Sequence, residues 1–156
     1  MRYNIWGSRE SSAYPHKTIA LLALVLLAAA WVRAEEPDRI TVQHILIAFK
    51  GTIDKPGLTR TRPEAETLAK ELFERVKKGV DFDALVKGYT DDQHPGIYSM
   101  SNFNVTPIPS KAEFPRARMV KAFGDVGFSL KVGEIGLAAY DQEKSPFGWH
   151  IIKRLQ

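Results

Sequence analysis

The eleven residues from Arg39 to Phe49, RITVQHILIAF, constrain the fold more than any other part of the chain. They are rich in β-branched side chains and read as a strand. Their alternating sets, Val42/His44/Leu46/Ala48 and Gln43/Ile45/Ile47/Phe49, are both largely apolar. A strand is apolar on both faces when both are covered, so this one is expected at the centre of its sheet. It also sets a problem, because His44 places an imidazole among branched aliphatics. The last strand candidate, FGWHIIKRL, does the same with His150. Taken singly, each reads as a core histidine satisfied by one hydrogen bond. Taken together on adjacent central strands, one ring can donate to the other, giving a neutral dyad at the sheet centre.

The remaining elements are built around that strand. Lys50 to Arg60 is a loop broken by Gly51, Pro56 and Gly57. Thr61 and Glu64 have capping-box spacing, and Pro63 is tolerated in a first turn. Ala65, Leu68, Ala69, Leu72, Phe73 and Val76 then keep the helical period until Lys77, Lys78 and Gly79 stop it. A shorter helix is expected over Asp81–Lys87, ended by Gly88, followed by a turn and a short strand within Tyr89–Met100. Asn102–Arg116 is a proline-studded loop, and Arg118–Asp125 forms one or two helical turns. Val132–Asp141 and the C-terminal stretch are strands. The order β–α–α–β–short α–β–β predicts an α+β fold, with helices packed on a small, mostly antiparallel sheet.

The N-terminus has a different character. Scattered positive charge ends at Lys17, and TIALLALVLLAAAWV follows as an uncharged apolar run, closed by VRA and the polar EEP. This is the pattern of an export signal with a small-residue cleavage site. The run falls short of the roughly 20 apolar residues of a comfortable membrane span. The expected division is therefore 1–34 as signal peptide or membrane anchor, 35–39 as a short linker, and 40–156 as one folded domain. The net charge of +4 comes mostly from the first segment, since 18 basic and 17 acidic residues remain outside it. A nucleic-acid partner has no compositional support. With 44% hydrophobic and 26% charged residues the chain is globular rather than disordered. It has no cysteine, which excludes disulfides, thiolate metal sites and a lipid-modified cysteine anchor.

Motifs for bond-breaking chemistry are missing. There is no G-x-S-x-G elbow, no H-E-x-x-H metal pair and no glycine-rich phosphate loop. Asp91, Asp92 and His94 share one turn, but such D-D-x-H turns are usually solvated, so no metal site is expected there.

Four ordered blocks, VQHILIAF, TDD, MVKAFGDVGFSLKVGEIG and SPFGWHIIKR, resemble the signature blocks of the parvulin-type peptidyl-prolyl cis–trans isomerases. The resemblance runs from about Thr41 to Leu155 and implies a four-stranded, mostly antiparallel sheet packed by helices, with 40–156 as a parvulin-like isomerase domain. His44 and His150 match the family's two histidines. Asp92 matches a position held by cysteine in some members and by aspartate in many bacterial-type ones. These three are the residues the resemblance implies for catalysis. Met119 and Phe123 match the apolar residues that hold the substrate proline ring, and Phe147 and Tyr98 fall where the same pocket is lined. The chain departs from the pattern twice. It lacks the immediate lysine that phosphate-selective relatives place after the first strand, although Lys50, Arg60 and Arg62 lie farther on, and Asn102–Arg116 looks like an insertion.

The reaction so implied needs no cofactor and no metal, because no bond is made or cut. Rotation about an X-Pro amide must break resonance worth about 18–20 kcal/mol. A catalyst need only hold the ring and bind the twisted amide better than either planar form. The pyramidal proline nitrogen of the twisted state gains basicity, so a hydrogen bond to it favours rotation. Two protonation states of Asp92 fit: a carboxylate that repels the carbonyl oxygen, or an acid that donates to it, which burial would favour. The implied partners are proline-containing segments of unfolded or partly folded exported proteins, outside the cytoplasm; the membrane is involved only if the N-terminal segment is uncleaved. A catalytically weak parvulin-like chaperone or peptide-binding module is the competing reading.

Overall fold

The computed structural model describes residues 35–156; the signal or anchor expected over 1–34 lies outside the described residues. Strand β1, Arg39–Ile47, is buried along most of its length and lies in the middle of the sheet. It pairs antiparallel with β2, Ile97–Ser101, on one side and with β5, Trp149–Arg154, on the other. β4, Ile135–Ala138, adds antiparallel to β5, and the two-residue β3, Phe114–Pro115, adds parallel to β2. The sheet order is β3-β2-β1-β5-β4, so the expected four antiparallel strands are joined by a fifth, parallel one. That strand comes from the proline-studded stretch 102–116, whose prolines hide any period-two pattern.

Each face of the sheet has its own core. Ile45, Ile47, Trp149 and Ile151 point towards helices α1, Arg62–Lys77, and α2, Phe82–Tyr89, meeting Ala65, Ala69, Leu72, Val76, Phe82, Leu85 and Val86. Ile40, Val42, Met100 and Ile152 point the other way, towards helix α3, Lys121–Ser129, and its Phe123 and Phe128. The doubly apolar pattern of β1 is thus explained by cover on both sides.

Local signals account for the helix ends. The Thr61 amide donates to the Glu64 carboxylate at 2.7 Å, completing the reciprocal half of a capping box ahead of α1. Asp81 is the cap of α2 rather than its first residue, its carboxylate accepting from the Ala84 amide at 2.7 Å. α2 runs through Gly88 to Tyr89, whose ring lies under the Arg75 guanidinium. α3 is nine residues long, more than the one or two turns expected. Gly124 and Gly127 weaken its sequence signal, yet both are buried. A Cβ on Gly127 would come within 3.1 Å of Ile40 Cδ1, so the glycine lets α3 lie close on the sheet. Of Val132–Asp141, only four residues pair as strand.

Candidate active site

The site begins with register. His44 stands opposite Ile152, and His150 opposite Leu46. The two histidines are therefore diagonal neighbours on adjacent antiparallel strands, on the face covered by α3. Their Nδ1 atoms lie 3.2 Å apart, both rings are buried, and the ring planes differ by 13°. On its far side, His44 Nε2 is 2.9 Å from Asp92 Oδ2. The Tyr98 hydroxyl donates to the same oxygen at 2.7 Å.

The tautomers follow from those contacts. Asp92 is held well below the usual carboxylate range, first by the hydrogen bond from His44, then by that from Tyr98, which together outweigh desolvation. It is an acceptor, so His44 must donate through Nε2–H. With both rings neutral, His44 Nδ1 then accepts from His150 Nδ1–H. This leaves His150 Nε2 as a bare lone pair, and it is indeed a buried atom without a partner. Burial lowers the His150 pKa to about 3, with His44 acting in the same direction. Burial and the neighbouring carboxylate push the Tyr98 phenol up to about 12, keeping it a donor. Of the two protonation states left open for Asp92 by the sequence, these contacts favour the carboxylate: two hydrogen bonds overcome desolvation.

Above this chain of polar groups lies a cavity of about 370 Å³. His44, Asp92, Tyr98, Met119, Phe123, Phe147 and His150 all line it, so the structure brings together all seven residues singled out in the sequence. Phe123 packs edge-on against His44 at 5.1 Å and against Tyr98 at 5.9 Å, and is tilted to His150 at 5.5 Å. The floor is thus polar and the wall aromatic. Phe147 is 43% exposed at the rim, its carbonyl accepting from the Thr52 hydroxyl.

Leu46, Ile53, Val120 and Asp91 also line the cavity. Asp91 is the notable omission, because the D-D-x-H turn read as solvated. Its side chain is only 6% exposed and accepts from the Ala48 amide at 2.9 Å, from Arg60 at 2.7 Å and from Lys55 at 2.9 Å. Adjacent carboxylates therefore do different work: Asp92 faces the histidines while Asp91 ties the loop after β1 to the core. The signal was present as two cations within reach of the turn, but their spacing gave no register. Arg62 lies instead over the Tyr140 ring, and His94 pairs with exposed Asp83.

Comparison with known proteins identifies the family. The family model described as the PPIC-type PPIASE domain matches residues 27–156. The chain is 32% identical over 118 residues to a protein named Chaperone SurA from Pseudomonas fluorescens, covering 76% of this chain and 23% of that protein. It is 38% identical over 88 residues to Foldase protein PrsA 4 of Bacillus cereus, covering 56% and 27% respectively. The chain thus spans about a quarter of the length of these relatives. Among solved structures, peptidyl-prolyl isomerase ESS1 from Candida albicans superposes with a TM-score of 0.56 at 21% identity, covering 90% of this chain and 77% of that one, a likeness of fold. By the extent of the family match and the histidine-bearing sheet beneath it, the chain belongs to the PPIC-type peptidyl-prolyl isomerase family, the parvulins.

Proposed function

We propose that this chain catalyses cis–trans rotation about X-Pro bonds in unfolded or partly folded polypeptides. The observation that carries the reading is the apolar cavity set directly on an ionised, hydrogen-bonded carboxylate. Met119, Phe123 and Phe147 hold the proline ring, which needs apolar cover and no covalent partner. His44 and Tyr98 fix Asp92 and keep it charged. A planar amide carries substantial negative charge on its carbonyl oxygen, and twisting the C–N bond removes part of it. A carboxylate facing that oxygen therefore destabilises the planar ground states more than the twisted transition state, which is differential binding in the productive sense. His150 orients His44 and takes no proton in the reaction. All seven residues act in these roles without a cofactor or metal.

The relatives' names, chaperone and foldase, favour a second reading for the same cavity: binding of polypeptide segments with weak turnover. A protease-coupled assay with short X-Pro peptides separates the two. Catalysed isomerisation is expected. Peptide binding without acceleration supports the binding module, and the absence of both isomerisation and binding would rule out the X-Pro segment as the cavity's ligand. The N-terminal pattern further supports export, with residues 1–34 as a cleaved signal and the domain acting outside the cytoplasm.

A further inference from the structure

The insertion over residues 102–116 does more than lengthen a loop. Its strand β3 sets Phe114 beside the cavity with 46% of its surface exposed and its ring centroid 5.9 Å from that of Tyr98. Tyr98 in turn meets Phe123 at 5.9 Å and His44 at 5.2 Å. An unbroken series of rings therefore runs from the histidine dyad through the cavity wall to solvent.

The outer ring is firmly held. Arg116, two residues on, is buried between the Phe103 and Phe128 rings, 4.6 Å from each centroid. Its guanidinium donates to Asn102 at 2.9 Å, to Glu36 at 2.6 Å and to Asp125 at 2.9 Å. The Asn102 contact joins the two ends of the insertion, and the Asp125 contact ties it to α3. Phe114 is thus an exposed aromatic on a pinned base, the arrangement that binds without a large ordering cost.

We propose that Phe114 forms an additional subsite for the substrate polypeptide, taking an aromatic or large aliphatic side chain near the proline. The proposal rests on the reading that the cavity holds the proline ring. The two ring separations place Phe114 at most about 12 Å from Phe123, and extended chain advances about 3.3 Å per residue, so the side chain lies within roughly four positions of the proline. The preferred substrate is then an apolar, aromatic-flanked X-Pro segment, the kind exposed by an unfolded chain and hidden by a folded one.

The test uses proline peptides carrying one phenylalanine moved from four positions before the proline to four after it, with alanine elsewhere. For the wild type, kcat/KM should rise about fivefold at one or two positions, through KM. In Phe114→Ser the ratio of best to all-alanine peptide should fall to about one, with Phe114→Leu between. Dissociation constants by fluorescence anisotropy of the same labelled peptides should follow the same pattern, so the subsite is read even if turnover is absent. Absent turnover with position-dependent binding would refute the isomerase reading and keep the subsite. A gain that persists in Phe114→Ser, or no positional gain in either measurement, overturns the subsite.

Discussion

At the residue scale, burial and hydrogen bonding compete, and the outcome differs for neighbouring groups. Asp92 is ionised because His44 and Tyr98 donate to it, while His150 is neutral because burial, with His44 beside it, outweighs the opposing pull of the Asp92 charge. The His150 result has a measurable consequence. An unfolded histidine titrates near pH 6.5, whereas His150 does so near 3 in the fold. Between these values the unfolded chain binds a proton that the native state refuses, so stability falls as pH decreases, by up to about 1.4 kcal/mol per unit. Asp92 is shifted in the same direction but acts in a lower window: its depressed pKa contributes stability that is full above about pH 4 and is lost as pH falls further. Urea midpoints from pH 7 to 4.5 isolate the histidine. The slope should largely vanish in His150→Asn, and an unchanged slope there would contradict a neutral buried ring.

Phe123 shows why a site residue is not automatically a clean probe. It lines the cavity but is only 3% exposed and belongs to the core beneath α3. Truncating such a ring costs about 3–5 kcal/mol of stability, which would confound any loss of turnover. Met119 is partly buried and packed at the edge of that core, so Met119→Ala is the better variant. We expect kcat/KM on short X-Pro peptides to fall roughly tenfold, in line with lost apolar contacts in a substrate pocket, with a much smaller change in urea midpoint. Undiminished turnover would place the proline ring elsewhere.

At the scale of elements, one glycine sets how closely two strands join. Gly148 precedes β5 with φ +142°, and a Cβ there would collide with the Ile47 carbonyl at the end of β1. Gly148→Ala must displace the junction that carries His150, costing on the order of 3 kcal/mol. Gly88 is the opposite case: it lies in helix α2 with open space around its would-be Cβ. Gly88→Ala should be neutral or stabilising by up to about 1 kcal/mol. Thermal melts of the two variants side by side check both expectations; equal effects would show that backbone approach at Gly148 is not limiting. The contrast also shows what the sequence made legible at this scale. The cap at Thr61 could be read directly, because a capping box is a local interaction, whereas Asp81 was placed inside the helix it caps. α3 was shortened and β3 missed, because glycine and proline obscure periodicity where tertiary packing overrides propensity.

For the whole molecule, the untested boundary is at the N-terminus. If residues 1–34 are an export signal, the secreted protein begins at Glu35, and N-terminal sequencing of the exported form will read that residue first. An intact Met1 in the membrane fraction would instead identify an anchor. The sequence alone was enough for the central strand, the first helix and the pairing of the histidines, and four ordered blocks resembling the parvulins marked the seven residues that meet in the cavity. The strand and the helix are properties of composition and period within short stretches of chain, whereas the seven residues rest on the resemblance. Tertiary structure was needed to show that Asp91, next to the Asp92 already marked by the motif, binds Lys55 and Arg60, because adjacent residues of a turn point in directions no period specifies. It also decided that Asp92 is charged, since a pKa reflects partners brought from β1 and β2. And it turned a proline-studded stretch into a fifth strand beside the cavity, because a two-residue strand exists only through the neighbour it pairs with.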